Sequence, residues 1–193
     1  ARMLGFPVGP LQLTAETSLE LGLAISRATR AAMGNAYPAS PADELLETMV
    51  EGLDRKGRKN RAGMYAYDEA GKRTGLWPGL ADHFPPLDEQ PALEDVQNRL
   101  MMIQVLEAVR ALEEGVLTDV REGDVGAILG WGFAPWSGGP FAWLDRLGSR
   151  KALALAERLA AAHGERFAPP QTLRDRAAEG GRFHPDPASA AAA

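Results

Sequence analysis

Two segments about 130 residues apart carry the same pattern, and that pattern limits the fold more than any other feature. The first is Gly5-Phe6-Pro7-Val8-Gly9-Pro10-Leu11. The second is Gly132-Phe133-Ala134-Pro135-Trp136-Ser137-Gly138-Gly139-Pro140-Phe141. In each, Gly-Phe leads into a proline-containing turn, and Gly-Pro then precedes an apolar residue. Glycine lets the chain turn sharply after a helix, and proline fixes φ at the first position of the next one. Each segment reads as a helix–turn–helix corner, so the chain reads as two related helical halves.

The rest of the chain agrees with an all-α fold. From Leu11 to about Met33 an Ala/Leu/Glu-rich stretch predicts helix, with a break near Thr17-Ser18. Ser40 suits a helix cap, Pro41 the first helical position, and Asp43-Glu44 the positive end of the dipole. Leu45, Leu46, Met49, Val50 and Leu53 give that helix one apolar face. Met64 to Tyr67 reads as a short extended segment and 68–71 as a turn. The longest helix falls at 93–114, where Val96, Leu100, Ile103, Leu106 and Val109 repeat at intervals of three and four and Met102, Val105 and Leu112 widen the stripe. Asp119-x-x-Glu122 opens another helix, and further helices follow from Phe141, over 151–162 and over 170–179. The halves divide as 1–73 and 93–183, joined by a Pro/Gly-rich linker at 74–92. Residues 184–193 have little to bury and are expected to form a disordered tail.

Composition excludes several classes of function. The chain has no cysteine, which removes disulfides and thiolate sites. Its net charge of −5 argues against nucleic-acid binding. His83, His163 and His184 are far apart in sequence and form no metal-ligand spacing, so no metal site is expected. No apolar run is long enough to span a membrane, and residues 1–22 do not read as a signal peptide; a cytoplasmic address fits. Ser137 has no His or Asp beside it in sequence and is not a nucleophile elbow.

GFPVGPLQL, followed by GRKNRAGMYAY, resembles the C-terminal domain of 3-hydroxyacyl-CoA dehydrogenases. That family runs Gly-aromatic-Pro-x-Gly-Pro, then Gly-(Lys/Arg)-Lys-x-Gly-x-Gly-aromatic-Tyr-x-Tyr. NRLMMIQVLEAVRALEEGV and DVGAILGWGFAPWSGGPFAWLDRLG are similar to a second copy of the domain. Two copies occur in the multifunctional fatty-acid β-oxidation enzymes, which fuse enoyl-CoA hydratase to the dehydrogenase. The resemblance implies tandem repeats like the C-terminal domain of 6-phosphogluconate dehydrogenase, with NAD as the parent enzyme's cofactor. It names as partners the parent's Rossmann and hydratase domains and a thiolase subunit. Arg61-Ala62 stands where the family has Gly-x, and Met64 replaces the aromatic residue. Ala1 to Leu4 resembles the last turn of the first copy's opening helix, whose Asn-Arg pair carries an asparagine that reaches substrate and nicotinamide. The catalytic His–Glu pair belongs to the Rossmann domain. No catalytic residue, no bound cofactor and no activity are therefore expected of this chain alone, which also lacks G-x-G-x-x-G.

Several residues carry two readings. Phe6, Pro7, Val8, Gly9 and Pro10 line the acyl side of a substrate cleft or form a plain helix corner. Arg58, Lys59 and Arg61, with Arg55 and Lys56, form a solvated tether or contact coenzyme A phosphates or an acidic partner. Asn98-Arg99 imitates the catalytic pair but falls in the second copy, where a solvent-edge position on a core helix is the simpler reading. Trp131, Phe133, Trp136, Phe141 and Trp143 read as core, and Glu107, Glu113 and Glu114 as surface charge. Without an opening helix, the apolar faces around Leu4, Leu13, Leu45, Met49 and Leu53 are expected to be partly open, to a second copy of the chain or to the 93–114 helix. A helical scaffold without catalytic ancestry is the alternative function. The tail of another helical-tailed dehydrogenase, of 6-phosphogluconate or hydroxyisobutyrate type, ranks last.

Overall fold

The computed structural model describes residues 1–185 and is mostly helical. It divides into two units. One is Val8–Gln90; the other runs from Pro91 onward and includes Ala1–Pro7.

In the 8–90 unit, α1 (Pro10–Thr17) and α2 (Leu19–Met33) meet at Ser18, whose hydroxyl accepts the Glu20 amide at 3.2 Å. The predicted break is therefore a cap between two helices. Next, α3 (Pro41–Glu47) begins with a capping box formed by Ser40 and Asp43, and it runs on into a π-helical turn, Thr48–Gly52. A hairpin follows, of β1 (Tyr65–Tyr67) and β2 (Arg73–Leu76), in antiparallel register with Tyr65 opposite Leu76, and then a single turn, α4 (Leu80–His83). The expected linker at 74–92 is thus partly structural. Trp77, Leu80 and Phe84 pack on a core of Leu19, Met49 and Met64. Glycine and proline concealed a strand that is held by backbone pairing and a few large side chains.

In the unit from Pro91 onward, α5 (Leu93–Glu113) packs against α7 (Pro140–Leu147) and α9 (Gln171–Glu179). The other helices are α6 (Val120–Trp131), capped by the Asp119 carboxylate on the Arg121 amide, and α8 (Ser149–His163). Met102, Val105, Leu106 and Val109 are fully buried against Phe133, Phe141, Leu144 and Leu159. Each such burial is worth about 1.5–3 kcal/mol. Met102, Val105, Leu106 and Val109 of the predicted stripe are the buried ones, whereas Val96, Leu100 and Ile103 toward the helix start are only half-buried. The second half does not end at 183. His184, assigned to the tail, bonds to Asp145, and Phe183 is buried against Phe141. The rest of that tail, residues 186–193, lies outside the described residues.

A shift of 130 residues carries Pro10 onto Pro140, Ser18 onto Gly148 and Gly34 onto Gly164. Both helix pairs consist of 8 and then 15 residues. The residue between them has φ 85°, ψ 132° at Ser18 and φ 88°, ψ 132° at Gly148. A serine held in that left-handed geometry is uncommon, so the kink belongs to the architecture and not to glycine's freedom.

Of the five side chains expected to be partly open, Leu13 is 53% exposed and Leu4, Leu45 and Leu53 are half-buried. Met49 is fully buried in the 8–90 core.

Candidate functional site: the Gly-Phe corners and the basic loop

Gly5 and Gly132 both take the left-handed conformation that ends a helical turn, with φ 84° and 76°. Phe6 and Phe133 follow them, and their rings meet edge to face at 5.6 Å. The Trp136 indole N–H donates to the Leu4 carbonyl at 2.6 Å, and the Arg146 guanidinium lies 5.0 Å from the Trp136 ring centre. A Cβ on Gly5 would stand 2.8 Å from Trp136, and one on Gly132 would stand 2.7 Å from Pro7. The two Gly-Phe turns therefore approach too closely for any residue but glycine. Of the five candidate substrate contacts, Phe6 is committed to this aromatic pair and Pro7 covers Gly132. Gly9 is the extended N-cap of α1 and Pro10 its first residue, while Val8 is half-buried.

In the basic loop, Arg58 pairs with Glu16 at 2.9 Å and Lys59 with Glu20 at 3.1 Å. These contacts raise the Arg58 pKa and lower that of Glu20. Arg61 donates to the Glu69 carbonyl at 2.7 Å and holds φ 56°, at the position where the family pattern has glycine. Lys56 pairs with Asp54. Arg55 is half-buried: it stacks 3.8 Å from the Trp77 ring centre and donates to the Gly63 and Tyr65 carbonyls, and burial lowers its pKa. Two close approaches fix the loop. A Cβ on Gly57 would come within 2.9 Å of the Ala15 carbonyl, and one on Gly63 within 2.7 Å of the Gly57 Cα. Exposed pairs of this kind contribute little stability, but they occupy both Arg58 and Lys59 on the acids of α1 and α2.

Two of the three histidines stand against acids that no spacing in the sequence marks. His163 faces Asp95 at 3.2 Å, and Asp95 also faces Arg99 at 3.1 Å. The Asn98-Arg99 pair thus lies half-buried on α5 among helix contacts. His83 stacks on Trp77 at 5.8 Å. His184 stands between Asp124 and Asp145. Among the described residues no group of three or more such side chains could hold a metal ion. The aromatic cluster divides: Phe133 and Phe141 are buried, whereas Trp131 and Trp136 are 59% and 55% exposed. Trp131 borders an open apolar cavity of about 540 Å3 between α5 and α6, floored by Ala108, Ala111, Leu117 and Gly126. Glu107 pairs with Arg110, and Glu113 accepts the Thr172 amide at 2.8 Å.

A dinucleotide site of the Rossmann type is a parallel βαβ crevice with a glycine-rich first turn. The only sheet among the described residues is the antiparallel hairpin, so they do not build a site of that type. No helix among them is long and apolar enough to cross a membrane.

Two helical units, each carrying an 8-residue helix followed by a 15-residue helix, define an all-α protein. The family described as 3-hydroxyacyl-CoA dehydrogenase, C-terminal domain, matches residues 1–67 and 96–187, a stretch in each half. The chain belongs to this family.

Proposed function

We propose that the chain is the C-terminal helical part of an NAD-dependent 3-hydroxyacyl-CoA dehydrogenase of fatty-acid β-oxidation, in a cytoplasmic polypeptide that also carries enoyl-CoA hydratase. Its role is to close over substrate and pack against the Rossmann and hydratase domains, with no hydride chemistry of its own. The observation that carries this reading is the family match over two stretches, together with the helix pair that recurs after 130 residues. The first copy, 1–73, contributes Phe6 to Pro10 toward the acyl side. The loop of Arg58, Lys59 and Arg61 acts as a tether, a role favoured over phosphate contact by its bonds to Glu16, Glu20 and the Glu69 carbonyl. A thiolase subunit and a second copy of the chain are the partners this reading names.

The natural reading frame is the test. An upstream G-x-G-x-x-G segment and a hydratase-like segment are expected. A native start codon near residue 1 would instead favour a helical scaffold without catalytic ancestry.

A further inference from the structure

His184 lies in the short segment after α9 and is held between two buried carboxylates. Asp145 of α7 accepts the Phe183 amide at 2.7 Å, the His184 amide at 3.0 Å and His184 Nδ1 at 2.9 Å. Asp124 of α6 accepts the Phe141 amide at 2.8 Å and the Ala142 amide at 3.2 Å, and its Oδ2 stands 3.1 Å from His184 Nε2. The Asp145 and Asp124 side chains are 3% and 8% exposed. A carboxylate only accepts, so Nδ1 bears hydrogen. A neutral ring would then leave Nε2 without hydrogen 3.1 Å from Asp124 Oδ2, two acceptors close together beside buried carboxylates. A proton between Nε2 and Asp124 removes that repulsion.

We propose that residues 181–185 form a proton-dependent clasp, closed while His184 and Asp124 share a proton and released when that proton leaves. Release frees the two amides from Asp145 and withdraws Phe183 from Phe141, which it meets at 5.5 Å. Asp119, the N-cap of α6, adds negative potential near His184, although it is tied to Arg121. Opposing it are Arg182, 3.7 Å from Asp145, and Arg176, 6.0 Å from the Phe183 ring centre. Burial raises the Asp124 pKa. Asp124 therefore holds its proton more tightly in the folded site than in the unfolded chain. Its stabilisation is present at low pH and is lost as pH rises.

The test is amide exchange at Phe183 and His184 in the full chain, expressed as protection against pH. The clasp predicts that the opening equilibrium rises about tenfold per pH unit past a midpoint, for the one proton released, while α5 stays protected. Asp124→Asn keeps an acceptor for the α7 amides and offers an N–H to a neutral ring, so the clasp should stay closed across the range. His184→Gln cannot bridge both acids and should leave the two amides open, with no pH dependence. Circular dichroism confirms that each variant is folded. Flat protection in the natural chain, or the same pH profile in His184→Gln, would overturn the proposal.

Discussion

Replacing Phe133 by alanine removes a fully buried ring from the core of the unit that starts at Pro91. The loss should be about 3–5 kcal/mol, because both transfer free energy and a cavity are involved. Phe6 is only half-buried, so Phe6→Ala should cost about half as much. The two rings meet edge to face at 5.6 Å, a geometry worth about 0.5–1.5 kcal/mol beyond burial. The double variant should therefore lose less than the sum of the singles by that amount. Urea unfolding followed by circular dichroism gives the four free energies. With a slope of about 2 kcal/mol per molar, Phe133→Ala alone should lower the midpoint by about 2 M. The cycle is to be taken from the transition of the unit that contains both rings, since two units need not unfold together. A coupling below about 0.3 kcal/mol is indistinguishable from independent sites, and it would refute the claim that the two Gly-Phe turns support each other.

Other perturbations follow from single contacts. Ser40→Ala removes the cap of α3 and should cost about 1 kcal/mol by chemical denaturation of the 8–90 unit. Gly139→Ala puts a Cβ against Asp124 at φ 113° and should destabilise by about 1–3 kcal/mol in a thermal melt. Asp43 is held at about 2, below its ordinary 3.8, by the Ser26 hydroxyl first, then the Ser40 amide and the Tyr37 hydroxyl. Because the folded value is the lower one, its stabilisation is present above pH 3.8 and fades as pH falls toward 2. Asp43→Asn should flatten that acid limb in a pH series of denaturation midpoints.

Local chemistry made the helices legible. Gly-Pro at residues 9–10 and 139–140, Ser40-Pro41 and Asp119 each state a helix start in two residues, and the structure places starts at Pro10, Pro140, Pro41 and Val120. The strand β2 was not legible, because Arg73-Thr74-Gly75-Leu76 has no alternation and depends on its partner Tyr65–Tyr67. The aromatic density at 131–143 suggested core throughout. Which ring is buried depends on helix phase, and Trp131 and Trp136 fall on the open side. Asp43 read as a dipole complement, yet its main partner Ser26 lies on another helix, 17 residues earlier. The histidine contacts were the hardest to see. His184 meets Asp145 across 39 residues, and no spacing rule in the chain marks such a pair. The loop cations were legible as charge but not as paired charge, since Glu16 and Glu20 lie about 40 residues upstream.

The most direct test of the account compares two preparations in one assay: this chain alone and the complete natural polypeptide, each given NAD and 3-hydroxybutyryl-CoA. NADH formation should stay at background for the chain at any concentration and should scale with the amount of the complete polypeptide. Turnover that scales with the isolated chain and persists through repurification would contradict the account, and so would a complete polypeptide that forms no NADH.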